Sequence, residues 1–149
     1  METCNQYLAN CMTIFGGFIA LVLLGITIYQ IDQQRKERKN QYLIKLFTLI
    51  YTNDQIMELL YRIDKSENLK EIRFGGNLEK QADATLKFLN LVGYLLKGNI
   101  ITLEELDQVG YELKRFVNCK ELMNYSDGWL EMIKVKVDGV PYLRKELNK

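Results

Sequence analysis

Twenty consecutive residues from Met12 to Ile31, MTIFGGFIALVLLGITIYQI, carry no charge and consist mostly of Ile, Leu, Val, Phe and Gly. As an α-helix such a run is about 30 Å long, close to the thickness of bilayer hydrocarbon. A helix of that length on a soluble domain normally turns one face to water and carries charge there. Tyr7 and Tyr29 fall near the two expected interfaces, where amphipathic rings sit well. The run is therefore expected to be a single transmembrane helix.

Its flanks decide between an anchor and a processed leader. A secretory signal has positive charge before the apolar run and an Ala-x-Ala-like site after it. Here residues 1–11 hold no Lys or Arg, and the run is followed by Asp32-Gln33-Gln34. A lipidation site is also disfavoured, because Leu8-Ala9-Asn10-Cys11 precedes the apolar stretch and has Asn before the cysteine. All 20 Lys and Arg lie after residue 34, and Arg35, Lys36, Arg38 and Lys39 follow the span directly. The positive-inside rule then puts the N-terminus outside and the C-terminal domain in the cytoplasm. The expected organisation is a short outer N-terminus (1–11), the transmembrane helix (12–31), a juxtamembrane helix (32–52) and a helical domain (53–149).

Beyond Asp32, 17 acidic residues face the 20 basic ones, a balance near +3. Nucleic-acid binders usually concentrate a basic face, so nucleic acid is not an expected partner. The cluster Arg35, Lys36, Arg38 and Lys39 reads as a contact with anionic lipid headgroups, or more simply as a topology signal. The tail of about 115 residues can enclose a small core, and with one Pro and 48% apolar residues overall it lacks the composition of a disordered chain.

Apolar residues in the tail recur with the helical period. Tyr42, Ile44, Leu46, Phe47, Leu49 and Ile50 predict a helix from Gln33 to about Tyr51, continuous with the span. Thr52, Asn53 and Asp54 break or cap it. Ile56, Leu59, Leu60 and Ile63 predict a short helix ending near Lys65, and 66–77 reads as a connection with a turn at Gly75-Gly76. Asn77 is the expected cap of a helix from Leu78 to Lys97, closed by Gly98. Its broad apolar arc, Phe88, Leu91 and Leu95 beside Leu86, Leu89 and Val92, marks it as central. Thr102 and Glu105 form a capping box for a helix to about Val117. Ser126-Asp127 is the expected start of a helix from Gly128 to Val137, ended by Gly139-Val140-Pro141, with one more turn over Leu143 to Leu147. Lys134 to Val137 is the nearest approach to a strand, and it is short. The fold class is all-α, a transmembrane helix followed by a small helical bundle. Gly93 and Gly110 would each interrupt a good helix at a cost of ~1 kcal/mol, so the two helices are expected to approach most closely at their level, with Gly93 or Gly110 supplying the room.

Few residues offer chemistry. The chain has no histidine, the commonest general base and metal ligand. Cys4 and Cys11 lie across the bilayer from Cys119, so no single zinc site can use all three. The two cysteines of the outer flank are free thiols or cross-link subunits. Glu79 and Asp83, with Lys87, and the group Glu104, Glu105 and Asp107 are the only carboxylate pairs worth weighing. Ion pairs and favourable charge at helix starts account for both sets. Arg73 and Lys80 flank Gly75-Gly76, but no nucleotide-binding pattern surrounds them. Trp129, with Leu130 and Ile133, reads as core. No catalytic residue, metal or cofactor is expected. Within the span, Gly16 and Ala20 form a small-xxx-small pair, and Gly17 and Gly25 lie on a nearby face, the residue type that lets membrane helices pack closely.

Over 78–118, LEKQADATLKFLNLVGYLLKGNIITLEELDQVGYELKRFVN, the chain resembles a family of uncharacterised small bacterial membrane proteins. The resemblance is carried by Glu79 and Ala82 early in the central helix, Phe88 and Gly93 later, a Gly-containing turn, and Tyr111 and Phe116 in the next helix. It implies a bacterial inner-membrane protein with one N-terminal span and a cytoplasmic all-helical domain, and no reaction. Three readings follow. The first is a non-enzymatic anchored module that holds a protein partner, or itself as a homo-oligomer, at the cytoplasmic membrane face. The second is a stress or phage-defence effector whose helical domain senses a ligand or partner and whose spans assemble to perturb the bilayer. A tethered enzyme using Glu79 or Glu104 is disfavoured by the missing histidine.

Overall fold

The computed structural model describes residues 2–132 and 138–149, with the side chains of 15–129, 131 and 138–149. Among these residues there is no strand, and six α-helices form the chain: α1 (Glu2–Thr52), α2 (Asp54–Asp64), α3 (Glu79–Lys97), α4 (Gly110–Asn118), α5 (Lys120–Met132) and α6 (Gly139–Leu147). They fall into two units, Met1–Asn40 and Gln41–Lys149. The side chains of Tyr7, Cys4, Cys11 and Leu130, together with Ile133 and the short run Lys134 to Val137, lie outside the described residues.

The first unit is helix alone. From Phe15 onward α1 is long and apolar enough to cross a membrane, with a mean hydropathy of 1.7 and none of that window buried. Within this apolar stretch Thr27 Oγ1 donates to the Leu23 carbonyl at 2.8 Å. An apolar medium requires such internal pairing. After the apolar stretch, Lys36 pairs with Asp32 at 2.8 Å, one helical turn apart.

The second unit starts inside α1. Leu46 and Ile50 are buried in the core, with Leu43 and Phe47 packed against it, so the last turns of α1 belong to the helical domain and the division falls near residue 40 rather than 52. Asn53 breaks the helix as expected: its Oδ1 accepts from the Gln55 and Ile56 N–H groups and caps α2. The four periodic residues of α2, Ile56, Leu59, Leu60 and Ile63, are all buried. Helix α3 is central, packed on α2, α5 and α6. Fully buried Phe88, Leu86 and Leu89 meet Leu59, Phe116, Leu122 and Leu143 in one cluster. Each such aliphatic side chain contributes about 1.5–3 kcal/mol by leaving water.

Several helix ends differ from expectation. Asn77 does not cap α3; Leu78 occupies that place without a side-chain bond. Glu79 reaches back instead, its Oε2 accepting from the Gly75 N–H at 2.9 Å. At the other end Gly98 keeps an ordinary φ and Asn99 takes the left-handed conformation, φ +52°. Asn99 N–H donates to Leu96 and Ile100 N–H to Leu95, the paired bonds of a Schellman closure. Ser66 closes α2 the same way, also at φ +52°, with bonds from Ser66 to Ile63 and from Glu67 to Arg62.

The helix expected over 102–117 is divided. Glu105 Oε2 accepts from the Thr102 N–H at 2.9 Å, but the tighter 3-10 geometry holds from Glu104 to Val109 before α4 begins at Gly110. Helix α5 starts at Lys120, not at Ser126, because extended Cys119 (ψ 108°) breaks the chain there. Ser126 is buried within it, and the expected end at Val137 is outside the described residues. Gly139-Val140-Pro141 opens α6 instead of closing a helix. Pro is tolerated in a first turn, whose N–H groups lack helical partners in any case.

Candidate functional site

Three of the carboxylates singled out in the sequence, Glu79, Asp83 and Glu105, have structural partners. Glu79 closes the turn at Gly75, so an intramolecular carboxylate takes the N–H that an outside anion would have used between Arg73 and Lys80. A Cβ at Gly76 would collide with the Glu71 carbonyl, which is why the second glycine is needed. Asp83 accepts from the Tyr125 hydroxyl at 2.7 Å. Burial, reinforced by that carboxylate, pushes the Tyr125 phenol well above its ordinary value. Glu104 and Asp107 are exposed. Among the described residues no three His, Cys, Asp or Glu side chains gather as a metal site. Burial also pushes the Cys119 thiol up, the direction of an unreactive cysteine. Trp129 is buried, as a core residue would be.

A polar cluster that the sequence did not suggest ties α2 to α4. Asp64 Oδ1 accepts from Arg115 Nε at 2.7 Å and from the Tyr111 hydroxyl at 3.0 Å. A second Arg115 nitrogen reaches the Ile63 carbonyl at 3.3 Å. The Asp64 carboxylate raises both the Tyr111 phenol and the Arg115 guanidinium above their ordinary values. Tyr51 adds a link from α1 to α4, donating to Glu112 at 3.0 Å. These bonds fix helices to one another.

The glycine expectation divides between its two residues. Gly93 is buried where backbones meet, but the neighbour is α6: a Cβ at Gly93 would collide with the Gly139 carbonyl and lie 2.7 Å from the Gly139 Cα. A Cβ at Gly139 would collide with Asn90 in turn. Gly110 has open space and sits at the start of α4. Lys97 and Asp138 pair beside this approach and hold the Asp138 carboxyl below its usual range.

The surface feature of greatest interest is a groove of about 460 Å³ along one face of α3, walled by the end of α1 and the start of α2. Buried Ile56 and Phe88 form its floor, and small Ala84 makes room between Lys80 and Lys87. Leu91, expected in the packed arc of α3, is 42% exposed at its edge, opposite Leu49 at 37%. Residues 80, 84, 87 and 91 share a helix face by spacing, a signal visible in the sequence once it is known which face the neighbours leave open.

In the first unit Gly16, Gly17 and Gly25 have open space where a Cβ would stand, and Ala20 is exposed. Arg35 and Arg38 are exposed, Lys39 is half-buried and Lys36 is paired with Asp32. Comparison with family models, with curated proteins and with solved structures gives no match.

Proposed function

We propose that this chain is a non-enzymatic, single-pass anchored helical module that mediates self-assembly or protein–protein interaction at the cytoplasmic face of a bacterial inner membrane. The supporting observation is the contrast between the two units. One carries an apolar helical stretch of which none is buried; the other is a packed domain in which Glu79, Asp83 and Asp64 serve turns and helix contacts. A soluble protein hides apolar side chains of that kind, and bilayer hydrocarbon is the solvent in which they need no cover. The basic residues after Gln34 favour the orientation with the domain inside.

Alkaline carbonate extraction of membranes carrying the full chain tests the anchor: the protein is expected in the pellet, and release into the supernatant overturns the reading. An effector that perturbs the bilayer is the second reading, favoured by the unobstructed small residues at Gly16, Gly17 and Ala20. Induction of the full chain is then expected to collapse membrane potential, and the Gly16→Leu, Gly17→Leu variant to spare it. Unchanged potential with both chains removes that reading and leaves the module.

A further inference from the structure

The groove on α3 has a defined chemistry. Its floor and edges are apolar, with Phe88 buried and Leu49 and Leu91 each more than a third exposed. Two exposed cations, Lys80 and Lys87, stand on its rim one above the other. The one acid that lines it, Asp83, is already engaged by the Tyr125 hydroxyl. An occupant that fits offers an aliphatic side chain flanked by carboxylates, as amphipathic segments do when they lie in helical grooves.

This chain displays such a segment elsewhere on the same domain. Leu103 is 38% exposed at the start of the 3-10 turn Glu104–Val109, and Glu104 and Asp107 beside it are exposed as well. Leu103 and Asp107 border a different hollow, against α4 and α6, and none of the three lines the α3 groove. Groove and segment are thus two separate patches of complementary charge and shape on one molecule. Contact between such patches on different copies is head-to-tail and closes into a ring if the rotation permits.

We propose that the α3 groove receives the Leu103–Asp107 segment of a second copy of this chain, with Leu103 entering between Leu49 and Leu91 and the carboxylates of Glu104 and Asp107 meeting Lys80 and Lys87. The inference rests on the self-assembly reading and names the surface that carries it. Rim charges of this kind set register and partner choice more than raw affinity.

The test is disulfide trapping in membranes with the full chain, in a Cys4→Ser, Cys11→Ser background in which Cys119 is buried. When membranes holding co-expressed Leu91→Cys and Leu103→Cys copies with different tags are treated with copper phenanthroline and air, which take up the two electrons of the disulfide, the copies are expected to cross-link, and neither is expected to cross-link when expressed alone. Lys80→Glu, Lys87→Glu in the groove copy is expected to cut the yield about tenfold. Adding Glu104→Lys, Asp107→Lys to the other copy is expected to restore it. Cross-linking of Leu91→Cys copies to one another would replace the head-to-tail contact with a symmetric one and overturn the inference. So would an oligomer in mild detergent that gives no mixed disulfide, although the self-assembly reading would then survive. A strict monomer in detergent and in membranes would remove both.

Discussion

Gly93 and Gly110 look alike in the sequence, each a glycine in a helical stretch, and the structure separates them by what a methyl group would meet. At Gly93 it would strike the Gly139 backbone, whereas at Gly110 it would meet nothing within 4 Å. Gly93→Ala is expected to destabilise the domain by about 1–3 kcal/mol through overpacking. Gly110→Ala is expected to stabilise it by about 0.4–1 kcal/mol, because φ there is −63° and the unfolded chain loses freedom. Chemical denaturation of the full chain in detergent reads both. Ser66 presents the reverse situation, a side chain held at φ +52° in the closure of α2. Ser66→Gly is expected to gain about 1 kcal/mol in the same assay. The Lys97–Asp138 pair supplies a pH dependence. The Asp138 carboxyl lies below its ordinary value in the folded chain, so its contribution is complete above the unfolded value near ~4 and is lost as pH falls through the folded one. Both partners are exposed, so the effect is small. The melting temperature of Lys97→Met is expected to lie below that of the parent at pH 6, and the difference to shrink as pH falls below about 4.

Helices were legible where burial is one-sided and stops are chemical. Helix α2 shows both: the spacing of Ile56, Leu59, Leu60 and Ile63 states its buried face, and Asn53 states its start. Helix α5 shows neither, because the break at Cys119 is an extended backbone conformation with no Gly or Pro to announce it. Pro141 misleads for a physical reason, since a residue that ends one helix is equally at home in the first turn of the next. The groove was not legible, because periodicity gives the faces of α3 but not which of them α2, α5 and α6 cover. Neighbours on that helix now differ sharply. Leu89→Ala, at a fully buried site, is expected to cost about 2–5 kcal/mol of unfolding free energy. In the unassembled chain the cost of Leu91→Ala should stay within about 0.5 kcal/mol, as at an ordinary surface position. Equal losses in denaturant titrations would mean that Leu91 is covered.

At the scale of the whole chain, charge is distributed in one direction. No Lys or Arg precedes residue 35, and four of the next five residues are basic. Reversal of Arg35, Lys36, Arg38 and Lys39 to Glu, with two Lys added ahead of Thr3, is expected to invert the chain in the membrane. Compartment-specific reporters fused to the C-terminus read the outcome, and an unchanged orientation would mean that the folded domain rather than the flanking charge sets topology.

The burial of Leu46 and Ile50 also bears on how the second unit could be separated from the first by proteolysis. A protease that cut between residues 32 and 40 would release a fragment retaining every apolar side chain of the domain core. A cut at Asn53, the first break in regular helix, would instead leave behind two residues of that core and a void where they had been. Since α1 offers no turn before Asn53, the cut that would free an intact domain lies inside regular helix, and the site open to attack would free a damaged one. Release in working form therefore requires α1 to unwind locally first.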